Sequence, residues 1–388
     1  MLKSKRSLLS KGMLAAVVAA VLALGLFALM GCGGAGESAA DESAAAAVDE
    51  PTTTRTITDV VGREVEIPAS PENIIAIGVG GPRMAAYLDV MDLLVGAEDS
   101  DIDEVVVLRD YNPVWHDWLA TLPSVGQGGG SGNNNAYPEE IIKLAPDVII
   151  AGFDLEAADE LQAQTNIPVV SIRHNTGLAT DSQLEALRVF AEVVGAQDRY
   201  DELTAFIADM KADLDARTAD IPDADKPSVY AGAVTWNGRR GFAGTYADFG
   251  PLVAVHADNV ADQSGMDGFF EADFEAIVVW DPDVIFLDPG NMDLVNAEYA
   301  ANPDYFSSLR AVRDGRVYTM PAFNFAGTNL TYAFINAYFA GITLYPEAFA
   351  DITIEDKAAD ILTMFLGEDT SAVMADGGLF YGPLTIGQ

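Results

Sequence analysis

PEEIIKLAPDVII, residues Pro138–Ile150, occurs a second time as FEAIVVWDPDVIF, residues Phe274–Phe286, at an offset of 136 residues. In both copies a helix-forming stretch meets a Pro-Asp step, and an all-apolar run follows. Proline cannot donate to the helix ladder, and it pushes the preceding residue out of the helical region. The apolar run suits a strand covered on both faces, as in a parallel sheet. The repeat therefore predicts two similar α/β lobes.

Outside the repeat, periodicity and turn residues predict the other elements of the two lobes. The helix Gln197–Ala219 ends at the two prolines of IPDADKP, so it is predicted to be a stiff connector about 35 Å long. The segment Ser100–Asn135 is predicted to be a loop. The other elements are a hairpin over Thr56–Ile67, strands over Asn73–Ile77, Leu93–Ala97, Pro168–Ile172, Ser228–Val234 and Gly315–Thr319, and helices over Met84–Asp89, Leu155–Gln164, Ser182–Gly195, Asp248–His256, Asn302–Leu309, Phe325–Leu344 and Thr353–Phe365.

The N-terminus has the pattern of an export signal. A basic start precedes the 18-residue apolar run Met13–Met30, and Gly31-Cys32 follows it. A charged start, an apolar core and a small residue before the cut make a signal peptide. The position of Cys32 resembles the bacterial lipoprotein signal, in which this cysteine is lipidated. The alternative is an uncleaved membrane helix, because 18 apolar residues nearly span a bilayer.

Domain boundaries follow from these features. Both explanations of the N-terminus place the rest of the chain outside the cytoplasm and tethered to the membrane. The polar, acidic segment after Cys32 has almost nothing to bury, which predicts a flexible tether. The predicted organisation is a signal peptide (1–31), a tether (32–54), an N-terminal lobe (55–196), an interlobe helix (197–220) and a C-terminal lobe (221–388).

Charge and residue usage exclude several kinds of site. The formal net charge is −38, and without residues 1–31 the chain has 17 basic and 59 acidic residues. Such a surface repels nucleic acid and anionic lipid, and it also suits simple solubility or a saline habitat. The single cysteine and the three separated histidines show no metal-ligand spacing, so we expect no protein-held transition metal. The turn after Ile77 lacks GxGxxG and a phosphate-loop lysine, which argues against a nucleotide site.

The motifs in order resemble a known family. They are the lipoprotein signal, TDVVGREVEIP, NIIAIGVGGPRMAAYL, LLVGAED, the first repeat copy, a long middle helix and the second repeat copy. Together, over Arg55–Leu366, they resemble the ABC-importer substrate-binding lipoproteins of the iron-siderophore, cobalamin and haem-binding group, the helical-backbone periplasmic binding proteins. The resemblance implies an α/β fold: two similar lobes with central, mostly parallel sheets flanked by helices. One long rigid helix joins the lobes, and the ligand cleft lies between them.

The resemblance also implies a docking role for two aligned acids. In this group a glutamate on each lobe, on the helix before the repeated strand, docks into arginine pockets of the two permease subunits. The matching residues are Glu139 and Glu275. One carboxylate per lobe would make charge-assisted bonds to such arginines. The alternative is an ordinary acid at a helix start, where the macrodipole favours it.

By position in that fold, three segments line the expected cleft, and Asn324–Asn329 is a further candidate. Arginines suit an anionic ligand, and aromatic rings cover its flat or apolar parts. For Arg83 the alternative is a helix-surface position, and for the aromatic residues of Ser100–Asn135 it is packing within a flap. The predicted ligand-binding residues are Gly80, Arg83, Tyr111, Trp115, Trp236, Arg239 and Arg240.

The function expected from the resemblance is capture of an iron complex, a siderophore-like chelate, for an ABC importer. A cobalamin, another corrinoid or haem is the alternative ligand, and a surface sensor or adhesin is an alternative of another class. An enzyme is least expected, because no GxSxG, nucleophilic cysteine or metal triad is present. We expect a monomer without catalytic residues or a cofactor, whose partners are a permease dimer, the chelate and, through its lipid, the cell membrane.

Overall fold

The computed structural model describes residues 53–129 and 135–388, which belong to one compact unit. The predicted signal peptide, Cys32 and nearly all of the predicted tether lie outside the described residues. Among the described residues, no helix has both the length and the apolar character needed to cross a membrane.

The described strands are short, and most follow a helix or a turn. They are β1 (Thr54–Thr58), β2 (Glu64–Pro68), β3 (Ile74–Ile77), β4 (Ala97–Glu98), β5 (Ser124–Gly126), β6 (Val148–Ala151), β7 (Val169–Ser171), β8 (Ser228–Gly232), β9 (Gly244–Tyr246), β10 (Asp258–Asn259), β11 (Phe269–Glu271), β12 (Val284–Leu287) and β13 (Val317–Thr319).

The described helices flank these strands on both sides. They are α1 (Gly81–Tyr87), α2 (Asp99–Ile102), α3 (Asn112–Leu119), α4 (Pro138–Leu144), α5 (Leu155–Thr165), α6 (Asp181–Val194), α7 (Gln197–Thr218), α8 (Gly250–Val253), α9 (Phe274–Trp280), α10 (Met292–Ala301), α11 (Pro303–Ser308), α12 (Arg310–Arg313), α13 (Leu330–Leu344), α14 (Ile354–Leu366) and α15 (Ser371–Asp376).

Two parallel sheets form the centres of the lobes. The first has the order β3-β6-β7, and the second has the order β10-β8-β12-β13. Smaller pairs complete them: the antiparallel hairpin β1-β2, the antiparallel pair β9-β11 and the parallel pair β4-β5. The predicted α/β class, with parallel sheets flanked by helices, is confirmed.

Alternate residues of each central strand enter different cores. In β3, Ile74 and Ala76 face a large core shared by both halves of the chain, whereas Ile75 and Ile77 face an outer core. Strands β6 and β12 divide their residues in the same way, and β12 turns its other face to the outer core of the second lobe. Covering on both faces explains why these strands are apolar throughout.

The long helix α7 packs one face against the shared core. Leu203, Ile207, Met210 and Leu214 are buried on this face, and the helix contacts α6 of the first half and α13 of the second. Helix α14, near the C-terminus, also reaches the first lobe, because Phe365 packs edge-on to the Tyr87 ring of α1, with 4.8 Å between centroids. The chain therefore joins the lobes through α14 as well as through α7.

Several sequence predictions for the fold need correction. The predicted loop Ser100–Asn135 contains α2, α3 and β5. The predicted strand Leu93–Ala97 is reduced to β4 after a short 3-10 turn, and the helix predicted over Asp248–His256 is the four-residue α8. Helix α13 begins at Leu330 rather than at Phe325, because Ala326 and Gly327 have positive φ angles of 49° and 90°. The residues before it form a loop.

Candidate functional site

Two openings of about 780 Å³ are lined by residues of both halves of the chain, and the candidate ligand cleft is the one that contains Trp236 and Arg239. Many of its lining residues lie in loops that follow strands of the two parallel sheets, and this edge is where α/β proteins usually bind ligands. The first lobe contributes Val79, Arg109 and Thr176. The second lobe contributes the segment 235–239, then Asp288 and Asn291 after β12, and the loop 324–327 before α13.

Arg109 is the charged group of the first-lobe wall. Its Nη1 donates to Asp101 Oδ1 at 2.8 Å and to the carbonyl of Ser100, and the Phe325 ring covers the guanidinium at 5.9 Å. Arg109 is 5% exposed, yet its Nε has no hydrogen-bond partner among the described residues. The unpaired Nε lies below the surface, so the contribution of Arg109 to the cleft is the positive charge of a fixed guanidinium, which favours an anion nearby.

Arg239 and Asp288 give the second-lobe wall both signs of charge. Arg239 Nε donates to Asn291 Oδ1 at 3.2 Å, and its Nη2 donates to the carbonyl of Gly290 at 2.7 Å and to Asp293. Asp288 is buried, and it accepts from Thr235 Oγ1 at 2.5 Å. Burial raises the pKa of Asp288, although the hydrogen bonds that it accepts oppose the shift.

The loop Phe323–Asn329 is tied to the first lobe by a buried network centred on Arg83. Its Nε donates to Asp110 at 2.9 Å, and its Nη groups donate to the carbonyls of Phe325 and Ala326 and to Asn329 Oδ1. Glycine is favoured at position 327 of this loop, where the φ angle is 90°. A Cβ on Gly327 would lie 3.0 Å from Val79 and 3.1 Å from the guanidinium of Arg83.

Glu98 lies at the base of the first-lobe wall. It is buried beside Arg109 and accepts from the amide of Gly78 at 3.1 Å. Burial raises the pKa of Glu98 to about 8, and repulsion from Asp101 adds to the shift. A carboxyl of this kind is mainly protonated at neutral pH, so it adds little negative charge next to the guanidinium.

The predicted ligand-binding residues divide into two groups. Trp236 and Arg239 line the cleft, as does the loop Asn324–Gly327. The ring of Trp236 stacks on Phe269 at 6.3 Å and meets Tyr246 edge-on at 5.5 Å, which fixes its place at the cleft. These residues remain predicted ligand contacts.

The other predicted ligand contacts do not line the cleft in the structure. Arg83 and Tyr111 are 2% and 4% exposed because both are enclosed by the Asp110 and Asp101 networks. Trp115 lies in α3 and packs against the shared core, and its Nε1 has no hydrogen-bond partner in the described part. Arg240 lies over the Phe269 ring at 5.0 Å, outside the cleft lining.

Gly80 has a backbone role. Its φ angle is 88°, and a Cβ there would lie 2.5 Å from the His174 ring. It therefore shapes the turn that places Val79 in the cleft.

The ligand-binding residues predicted from the sequence do not include two residues that line the cleft, although a feature of the sequence points to each of them. Arg109 is the only lysine or arginine in Ser100–Asn135, whereas the contacts predicted in that segment are its aromatic residues. Asp288 directly follows the strand of the second repeat copy, and such positions face the ligand in parallel sheets.

The two acids of the repeat occupy equivalent sites. Glu139 lies in the first turn of α4 and Glu275 in the first turn of α9. Both are exposed, and neither makes a hydrogen bond or an ion pair within the described residues. Both carboxylates are thus available to a partner.

Within residues 53–129 and 135–388, no group of three or more histidine, cysteine, aspartate or glutamate side chains is placed to hold a metal ion. The charged groups of the cleft are instead arranged for hydrogen bonds and ion pairs.

Comparisons with known proteins agree with this architecture. No curated protein matches the sequence. A periplasmic solute-binding protein from Veillonella parvula is similar with a TM-score of 0.64 and 19% identity, over 84% of this chain and 97% of that one. FepB, a TroA-like periplasmic binding protein from Veillonella parvula, is similar with a TM-score of 0.62 and 21% identity, over 81% and 97%. The molybdate-binding MolA of Haemophilus influenzae gives 0.59 and 21%, over 81% and 98%.

These structures are similar in fold. The model of the periplasmic binding protein family matches residues 105–322, which is more than half of the chain. The chain therefore belongs to the periplasmic binding protein family.

Proposed function

We propose that this protein is an extracytoplasmic, lipid-anchored solute-binding protein that captures an iron complex, a siderophore-like chelate, and delivers it to an ABC importer. It binds and releases its cargo without chemical change. Cys32 is the proposed lipidation site, and the importer permease is the proposed partner.

The composition of the cleft carries this proposal. Arg109 and Arg239 face it from opposite lobes, and Trp236 and Phe325 add aromatic surface. A volume of about 780 Å³ suits an organic ligand of drug size. A cargo with anionic oxygens and flat, partly apolar groups matches both features, and a ferric chelate has both.

Tryptophan fluorescence tests the cargo, because Trp236 lies in the cleft wall. Residues 33–388, which include the whole described unit, are titrated with ferric siderophores, haem, cobalamin and molybdate. We expect saturable quenching by a ferric chelate at micromolar concentration or below. Trp236→Phe should remove most of the signal and leave the affinity measured by calorimetry within a few-fold.

The other arms of the titration decide between ligand classes. A response to haem or cobalamin alone would replace the iron chelate by that ligand. A response to molybdate alone would contradict the organic-chelate proposal. No binding of any of the four probes by fluorescence or by calorimetry would overturn the proposed cargo and favour a sensor or an adhesin.

Docking is tested separately with the two free carboxylates. Glu139→Arg combined with Glu275→Arg should abolish cargo uptake by cells and leave cargo affinity unchanged. The matched control is Glu156→Arg with Glu355→Arg, which reverses two other exposed acids in first helix turns. Uptake should persist in the control. Lower cargo affinity in the first variant would mean that these glutamates belong to the cleft.

A further inference from the structure

The helices α4 and α9 each have a face formed by the repeated glutamate and the residues three and four positions after it. These positions are neighbours on a helix surface. On α4 they hold Glu139, Ile142 and Lys143, and on α9 the aligned residues are Glu275, Val278 and Val279. The acid and the apolar residue after it are thus matched, whereas the last position differs.

Exposure makes this difference large. Val279 is 82% exposed, more than any other exposed large hydrophobic side chain of the described residues. Its counterpart Lys143 donates to Glu140 at 2.7 Å, so α4 carries a local ion pair at this place. Val279 sits on a helix that is fixed by the buried Ile277, and no described residue covers it.

The apolar surface on α9 extends beyond this one residue. Val278 and Phe274 are 39% and 38% exposed, and they lie one turn apart on the helix. Phe274 meets the Tyr305 ring edge-on, with 4.7 Å between centroids, so its position is fixed. We call Phe274, Val278 and Val279 the α9 patch. Contiguous exposed apolar surface beside a free charge indicates a protein interface.

We propose that docking to the importer is unequal, with the α9 patch as the apolar anchor and α4 as a mainly polar contact. This inference rests on the proposed function. The permease surface that receives α9 would have an apolar pocket beside a cation for Glu275. The surface that receives α4 would have a cation for Glu139 and a smaller apolar contact for Ile142.

Charge favours a protein over the lipid surface as the occupant of the patch. The chain has a formal net charge of −38, which repels anionic headgroups. Glu275 lies in the same face as the patch and would have to approach those headgroups with it. A protein surface with an apolar pocket beside a cation accommodates both the valines and the carboxylate.

The test measures binding of fluorescently labelled residues 33–388 to right-side-out membrane vesicles of the source organism. Liposomes made from lipids of the same membranes are the second arm. Val279→Lys copies the α4 residue onto α9, and Lys143→Val makes the reverse exchange. We expect Val279→Lys to weaken vesicle binding by about tenfold or more, because a buried valine contact is lost. Lys143→Val should change it by less than about threefold.

Each result separates this inference from the proposed function. Two results would overturn the unequal docking and leave the importer proposal standing. One is an equal loss of binding in Val279→Lys and Lys143→Val. The other is normal binding of Val279→Lys when the double variant Glu139→Arg with Glu275→Arg does not bind. Normal binding by the double glutamate variant would overturn docking itself. Binding to liposomes that Val279→Lys abolishes would assign the patch to lipid. Unchanged melting temperatures show that the variants fold, as expected for exposed sites.

Discussion

The units α4–β6 and α9–β12 share the way in which the helix ends and the way in which the strand is held. Each helix ends at a left-handed residue, Ala145 in one and Asp281 in the other, with φ angles of 47° and 37°. Each following aspartate fixes the start of the neighbouring strand. Asp147 accepts from the amides of Glu72 and Asn73 at 2.8 and 2.9 Å, and Asp283 accepts from Ser228.

The units differ where their strands leave the sheet. After β6 comes Gly152, where a Cβ would lie 2.1 Å from the carbonyl oxygen of Val79, so only glycine fits. After β12 the equivalent residue is Asp288, which lines the cleft. The repeat thus sets a common frame, while the residues just beyond it give each lobe its own cleft chemistry. Four changes test this comparison.

The largest effect should come from pH and from the buried acid of the first lobe. Glu98 keeps its proton up to about pH 8 in the folded protein, but its ordinary pKa is 4.5. The folded state therefore binds more protons between these values, and stability falls as pH rises through this window. Glu98→Gln should remove the fall, which is on the order of 4 kcal/mol by pH 9.

Urea unfolding of both proteins from pH 4 to pH 9 gives this difference. The variant and the wild type should agree near pH 4 and separate above pH 5. Asp288→Asn serves as the comparison in the second lobe, where burial also raises the carboxyl pKa. Parallel curves for wild type and Glu98→Gln would show that Glu98 ionises in the folded protein as it does in the unfolded chain.

The cleft arginines should contribute unequally to cargo binding. The side chain of Arg109 is 6% exposed, so water screens its charge little, whereas that of Arg239 is 52% exposed and already donates to Asn291, Gly290 and Asp293. Arg109→Gln should weaken binding of an anionic cargo by roughly 10- to 100-fold, and Arg239→Gln by less than about fivefold. Calorimetry with the cargo identified by fluorescence measures both.

Because Asp101 pairs with Arg109, the glutamine variant needs a check of folding by circular dichroism. Arg109→Lys, which keeps the charge but loses the planar donors, should be intermediate. A larger loss in Arg239→Gln than in Arg109→Gln would reverse the assignment of the two walls.

The two strand-fixing aspartates should be nearly equivalent in stability. Asp147→Ala removes the acceptor of two exposed backbone amides and Asp283→Ala that of one half-buried amide, so each should cost about 0.5–1.5 kcal/mol. Asp283→Ala should cost slightly more, since Asp283 also pairs with Arg310 at 2.8 Å. Urea denaturation measures both, and asparagine at either position should restore part of the loss. A near-neutral alanine variant would mean that the repeated aspartate does not hold the strands.

The smallest effect concerns the left-handed residues. Ala145→Gly should stabilise the protein by about 0.5–1 kcal/mol, because alanine is strained at positive φ. Asp281→Gly should not, because Asp281 accepts from the amide of Arg310 at 2.8 Å. The melting temperature should rise in Ala145→Gly and fall in Asp281→Gly, as measured by thermal unfolding. Stabilisation in both would mean that the bond to Arg310 contributes nothing.

The sequence predicted the frame much better than the cleft. Elements with clear periodicity, such as α6, α7 and the repeat, lie within a residue or two of their predicted ends. Errors fell where tertiary contacts decide the backbone, as in Phe325–Asn329, which the Arg83 network holds as a loop. Arg83 itself looked like a ligand contact because residue type shows charge but not whether a partner such as Asp110 already neutralises it. The docking role of Glu139 and Glu275 stays a prediction.

The contact between α14 and α1 has a consequence for biosynthesis. The ring of Tyr87 meets that of Phe365, and the guanidinium of Arg199 donates to the carbonyl of Met364. The first lobe therefore lacks part of its interior until nearly the whole chain has been made. Contacts of such long sequence separation form late and slow folding. A chain that crosses a membrane from its N-terminus would therefore stay incompletely folded, and able to be translocated, until its last helices have also crossed.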